Sequence, residues 1–162
     1  MNITITIDRE KVYSDVAQES VYIGGRSVQT DGSNIDKVFV TDDDKIYLDK
    51  MFRDACSALG LSLTEYVSAA TPLSPNPNKQ DNYEIVLTLP DNVSEITLSS
   101  LPSDVHNYVV TSVLADYLLR IGVEDCQTYM EQGKALIESI INELSERKRP
   151  KYAEVVAERS EI

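Results

Sequence analysis

Few residues in this chain belong to the types that catalyse reactions. The sequence holds one histidine, His106, and two cysteines, Cys56 and Cys126. Nucleophilic catalysis needs a base beside the nucleophile, and the 27 acidic residues show no spacing that is specific for acid–base work. We therefore predict a structural or surface histidine, two buried cysteines that act as small hydrophobes, and no catalytic residues.

Two short polar motifs resemble ligand sites only superficially. The run Gly24-Gly25-Arg26 lacks the second half of either nucleotide-binding fingerprint, so it predicts a plain turn. The run Asp42-Asp43-Asp44 lacks the glycine and the distant glutamate of a calcium loop. Because it follows Thr41, it predicts a capped helix start instead. The sequence predicts no metal site and no cofactor.

Charge is distributed unevenly along the chain. The net charge is −12, but residues 1–146 hold 24 acidic and 10 basic side chains, whereas residues 147–162 hold 3 acidic and 5 basic ones. One interpretation is that these cations complement the dipole at a helix end. The other is a C-terminal docking segment for an acidic partner surface, with the predicted partner-docking residues Arg147, Lys148, Arg149, Lys151 and Tyr152.

Size and composition describe one ordinary domain. The chain has 162 residues, of which 42% are hydrophobic, and this is enough to build a core. No apolar run approaches the roughly 18 residues of a transmembrane helix, and residues 1–7 do not resemble a signal peptide. The acidic balance argues against nucleic acid as the main partner, because phosphate groups repel an acidic surface.

Hydrophobic periodicity predicts an α+β fold that is mainly α, with a helical bundle, a long C-terminal helix and a small antiparallel β-hairpin or sheet. Alternation predicts strands over about 2–7, 83–89 and 93–99, the last two joined as a hairpin. Helical spacing predicts helices over about 9–19, 42–59 (or to 70), 102–121 and 124–147. Loops are predicted over 20–36 and, because of three prolines, over 71–80.

The two C-terminal helices are predicted to form the core. The helix over 102–121 is apolar nearly all round, so it should be central, and Gly122 should end it. The expected core residues of the two helices are Val109, Val113, Tyr117, Ile137, Ile140 and Leu144. Residues 1–149 then form a single domain, and residues 150–162 form a tail after the helix-breaking Pro150.

The order of these features resembles the head–tail connector (adaptor) proteins of tailed bacteriophages and prophages. The resemblance rests on Lys11-Val12-Tyr13-Ser14-Asp15-Val16-Ala17, Tyr22-Ile23-Gly24, Val38-Phe39-Val40-Thr41-Asp42-Asp43-Asp44, Phe52-Arg53-Asp54-Ala55-Cys56, Tyr108-Val109-Val110, Ala115-Asp116-Tyr117-Leu118 and Arg147-Lys148-Arg149-Pro150. Connectors of this type are helical bundles that form a ring, commonly of twelve copies, beneath the portal.

The resemblance implies a structural, non-enzymatic virion protein at the head–tail junction. Its implied partners are further copies of itself in a ring, the portal protein and a downstream tail or ring protein. DNA would pass through the ring without specific binding, and the protein would reside in the host cytoplasm during assembly. Three alternatives stay open, namely another head–tail component of the head-closure or tail-terminator type, a cytoplasmic protein-interaction domain and, ranked last, a small hydrolase that uses carboxylates.

Overall fold

The computed structural model of the chain describes residues 1–27, 40–72, 75 and 82–146. Its elements in chain order are β1 (Asn2–Ile7), α1 (Arg9–Ser27), a 3-10 turn (Asp42–Asp44), α2 (Lys45–Ser62), β2 (Tyr83–Thr88), α3 (Glu95–Ile121) and α4 (Cys126–Ser145). The fold is therefore mainly helical with a small antiparallel sheet, and the predicted fold class is confirmed.

The sheet joins the beginning of the chain to its middle. β1 pairs antiparallel with β2, with Ile5 opposite Ile85. Alternate side chains of both strands are buried, as the period-two pattern of residues 2–7 predicts. On the other edge of β2, the backbone N–H of Thr88 donates to the carbonyl of Tyr66 at 2.7 Å. β2 therefore lies between two extended segments rather than in a hairpin.

The predicted return strand over 93–99 is wrong, because this segment starts α3. The Ser94 hydroxyl accepts a hydrogen bond from the backbone N–H of Ile96 and caps the helix. Burial then follows a helical spacing through Thr97, Leu101 and Val105, whereas Ile96 is exposed. The helix therefore begins at Glu95 rather than near residue 102, and it continues through Pro102, which lacks a backbone N–H donor.

The first helix extends beyond its predicted end. α1 runs to Ser27, so residues 20–27 are helical and the turn predicted at Gly24-Gly25-Arg26 is wrong. The reason is burial at helical spacing, because Val12, Val16, Ser20 and Ile23 are all buried. The Ser20 hydroxyl donates to the carbonyl of Ala17 at 2.7 Å and accepts from the backbone N–H of Val40.

The aspartate run and α2 agree with the prediction of a capped helix start. The carboxylate of Asp44 accepts hydrogen bonds from the backbone N–H and the hydroxyl of Thr41 at 2.8 and 3.0 Å. α2 then runs from Lys45 to Ser62, between the two predicted ends at residues 59 and 70. Residues beyond it pair with β2 instead of extending the helix.

α3 is the central helix, as its apolar composition predicts. It packs against α1, α2, α4 and β1, and it ends at Gly122, which adopts a left-handed conformation with φ of 74°. The predicted core residues Val109, Val113, Tyr117, Ile140 and Leu144 are buried. Ile137 is only partly buried, because it faces a groove described below.

Two predicted segments lie largely outside the described residues. Of the loop over 71–80, only residues 71, 72 and 75 are described, and Thr71 and Pro75 are buried rather than exposed. Thr71 is held by a hydrogen bond from the backbone N–H of Val86 to its hydroxyl at 3.0 Å. Residues 147–162 also fall outside the described part, so α4 is described to Ser145 rather than to residue 147.

Candidate functional site

The predicted docking segment begins where the described chain ends. Arg147, Lys148, Arg149, Lys151 and Tyr152 all lie outside the described residues. The position of their attachment point is nevertheless defined, because Ile140 and Leu144 bury the end of α4 in the core. The Ser100 hydroxyl on α3 lies 3.3 Å from a carboxylate oxygen of Glu143. The end of α4, to which the segment is attached, therefore lies beside the first turns of α3.

A groove of about 360 Å³ lies between α2, α3 and α4. We call it the three-helix groove. α2 and α4 form its walls, while α3, on which both helices pack, forms its floor. Most of its lining side chains are apolar or aromatic, namely Ala55, Ala58, Tyr108, Ala115, Tyr129, Met130 and Ile137.

Gly133 lines the groove where α4 packs on α3. The residue is buried, and a Cβ atom built on it would lie 3.8 Å from the hydroxyl oxygen of Ser112 and 3.9 Å from a methyl group of Thr111. Both distances are ordinary van der Waals contacts. The packing of α4 on α3 therefore leaves room for a methyl group at this position, and the backbone conformation of Gly133 does not require a glycine.

Two carboxylates also line the groove. Asp54 on α2 and Asp116 on α3 are both exposed at its surface, and Lys134 on α4 lies among the same lining residues. The pKa of the Asp116 carboxyl is raised, because the surrounding protein partly desolvates it and because the charge of Asp54 repels its ionised form. The charge of Arg120 acts in the opposite direction. The groove is therefore mainly apolar, and it holds two carboxylates whose negative charges repel each other.

A second cavity, of about 350 Å³, lies where α2 begins and α3 ends. The guanidinium of Arg120 lies 5.7 Å from the ring centroid of Tyr47, within cation–π range. Tyr117 also lines this cavity, and burial, followed by the charge of Asp44, raises the pKa of its phenol. Ile46 beside Tyr47 is 79% exposed.

A buried polar cluster joins α1 to α2. Arg9 is 4% exposed, and its Nη1 donates to Oδ1 of Asp49 at 3.2 Å. The Tyr13 hydroxyl donates to the same oxygen. The guanidinium also lies 5.2 Å from the ring centroid of Phe52. Because these contacts join side chains of α1 to side chains of α2, the cluster positions the two helices.

His106 contacts a carboxylate rather than a nucleophile. Its Nε2 lies 2.6 Å from Oδ2 of Asp15, which joins α1 to α3. This agrees with the prediction of a satisfied structural histidine. Burial raises the pKa of the Cys56 thiol, so the thiol is a weak nucleophile at neutral pH.

The predicted apolar roles of the cysteines also agree with the structure. Cys56 is fully buried, and Cys126 is partly buried against the core. In residues 1–27, 40–72, 75 and 82–146, no group of three or more histidine, cysteine or acidic side chains is arranged to hold a metal ion. None of the helices in this part of the chain has the length and apolar composition needed to cross a bilayer.

Comparison with known proteins finds no family model, no curated protein and no solved structure that matches the chain.

Sequence reasoning missed the three-helix groove. Asp54 and Asp116 are 62 positions apart in the chain, and each looks like an ordinary polar residue on its own helix. One available signal was the position of Asp116 within a helix that is otherwise apolar nearly all round. The sequence contains nothing that pairs it with Asp54, because helix packing alone brings them together.

Proposed function

We propose that this protein is a ring subunit of the head–tail connector of a tailed phage or prophage. The ring joins the portal of the DNA-filled head to the tail and resides in the virion. The C-terminal segment with Arg147, Lys148, Arg149, Lys151 and Tyr152 docks on an acidic partner surface, and the portal protein is the partner of the ring.

The observation that carries this proposal is the division of charge between two parts of one chain. Residues 1–146 have a net charge of −14, and residues 147–162 have a net charge of +2. The segment follows the end of α4, which Ile140 and Leu144 anchor in the core. An acidic body also suits a channel through which DNA passes, because like charges keep the DNA from adhering.

Exposed apolar side chains support a role in assembly. Large apolar residues are more than half exposed at several places on the helices, namely Val21, Tyr22, Ile46, Tyr47, Leu61, Ile96 and Leu119. Contacts between subunits need such side chains at the centre of an interface. The helix-rich fold favours a connector over the head-closure and tail-terminator types, which are usually richer in β-structure.

The experiment that tests this proposal combines the protein with the portal protein of the same phage or prophage. We expect the protein to form rings by electron microscopy and to bind the portal. Truncation after Glu146 should abolish this association while leaving thermal unfolding nearly unchanged, because it removes no described core residue. Truncation after Tyr152, which keeps the basic run, is the matched control and should retain association.

Two outcomes would contradict the proposal. One is a full-length protein that stays monomeric or dimeric and has no affinity for the portal, as expected of a cytoplasmic interaction domain. The other is a chain truncated after Glu146 that joins heads to tails at the wild-type yield. In that case the basic residues would serve only the helix dipole and solubility.

A further inference from the structure

The three-helix groove has the chemistry of a site for an extended segment. Its floor and walls are mainly apolar, with the ring of Tyr129 and the side chains of Met130 and Ile137 on α4. Met130 is 39% exposed there, and Ile137 is only partly buried. A segment that binds in this groove would therefore cover apolar surface that the described part of the chain leaves in water.

The charged residues that line the groove are Asp54, Asp116 and Lys134, so carboxylates outnumber cations and favour a basic occupant. Asp54 and Asp116 both line the groove, and the charge of Asp54 adds to burial in raising the pKa of Asp116, because it repels the ionised carboxylate. A cation placed between them would relieve this repulsion. An arginine suits the position best, because its guanidinium binds carboxylates through two parallel hydrogen bonds.

The chain itself contains a segment with the required chemistry. Arg147, Lys148, Arg149 and Lys151 come first, and the apolar residues Tyr152, Ala153, Val155, Val156 and Ala157 follow. Its basic run is complementary to the two carboxylates, and its apolar residues, which are interrupted by Glu154, suit the apolar lining of the groove.

Chain geometry shows that this segment cannot reach the carboxylates of its own subunit with its arginines. Asp116 lies sixteen residues along α3 from Ser100, which contacts the end of α4, and this corresponds to about 24 Å at the helical rise. Arg149 lies three residues beyond Glu146, so at most ~11 Å of extended chain separates them. If the arginines bind at Asp116, the groove must therefore belong to another copy.

We propose that the three-helix groove of each subunit binds residues 147–157 of a neighbouring copy, with Arg147 and Arg149 at Asp54 and Asp116. This inference rests on the proposed function in taking the chain as a ring subunit, and it names the acidic surface that receives the basic segment. Because the segment of one copy binds the groove of the next copy, the contact is head-to-tail. Such a head-to-tail contact generates a closed ring when its rotation closes.

The experiment measures binding of a fluorescently labelled peptide of residues 147–162 by anisotropy. The acceptor is the full-length protein carrying Arg147→Glu and Arg149→Glu, so that its own segment does not compete. We expect saturable binding that weakens as salt is raised from ~0.05 to ~0.5 M, because the contact is partly ionic. Adding Asp54→Arg to the acceptor should weaken binding by about tenfold or more.

A matched control separates the groove from overall charge. Glu84→Arg makes the same change of charge on β2, outside the groove, and should leave binding unchanged. A peptide with both arginines changed to glutamate should bind an Asp54→Arg variant that keeps Arg147 and Arg149 better than it binds the wild-type protein. If thermal unfolding shows that Asp54→Arg disturbs the fold, Asp54→Asn should give a smaller loss in the same direction.

The proposal is overturned if the peptide does not bind saturably, or if Asp54→Arg and Glu84→Arg have the same effect. The portal is absent from this assay, so the result is independent of the test of the proposed function. Peptide binding without any association with the portal would contradict the connector role and leave the groove contact intact. Association with the portal, together with peptide binding that Asp54→Arg leaves unchanged, would contradict the groove contact and leave the connector role intact.

Discussion

Replacing Ile140 with alanine tests whether α4 is an integral part of the core and not a loosely attached helix. Ile140 is 0% exposed and lies on the face of α4 that packs on α3. Truncating a fully buried isoleucine removes apolar contacts and leaves a cavity, which typically costs ~2–5 kcal/mol. Because Ile140 is enclosed by the core cluster, which restricts collapse of the site, we expect a loss of about 3 kcal/mol.

The measurement is urea unfolding followed by circular dichroism, with the free energy extrapolated to water. The matched control is Ile46→Ala, which makes the same substitution on a helix where the side chain is 79% exposed. The control should change the free energy of unfolding by less than ~0.5 kcal/mol. A loss below ~0.5 kcal/mol for Ile140→Ala would refute the assignment of this helix face to the core.

Three further substitutions or conditions test the packing and electrostatics of the fold. Gly133→Ala should stabilise the protein by roughly 0.5–1 kcal/mol in the same unfolding assay, because the new methyl group makes only ordinary contacts; a loss of stability would show that α4 must approach α3 more closely. Asp49→Ala should cost about 3 kcal/mol, because it removes the carboxylate that accepts from Arg9 and Tyr13, and a cost below ~0.5 kcal/mol would contradict a role in joining α1 to α2. Raising the pH should destabilise the fold from about pH 10, because burial raises the pKa of Tyr83 from 10.0 to about 12 and that of Tyr13 further still. The folded state then retains protons that the unfolded state releases, so melting temperatures that stay constant between pH 9 and 11 would contradict these shifts.

Features that depend on neighbouring residues were predictable from the sequence. The alternation of Ile3, Ile5 and Ile7 specifies a strand with one buried face, and the structure contains it. The caps at Thr41 and Gly122 follow from side-chain chemistry and backbone freedom at single positions. The central position of α3 follows from its apolar composition, because a helix that is apolar all round must be covered on several sides.

Features that depend on distant residues were decided only by the tertiary structure. The sequence of residues 93–99 fits a strand, because apolar residues alternate, and it also fits the start of a helix. The structure adopts the helix, because Ser94 caps it and because β1 is the strand that pairs with β2. The three-helix groove likewise exists only because α2 and α4 both pack on α3, which brings Asp54 close to Asp116. Hydrophobic period and capping are local properties of the chain, so the sequence displays them directly. Strand partners and grooves arise from contacts between residues tens of positions apart, so they appear only when the whole chain is packed.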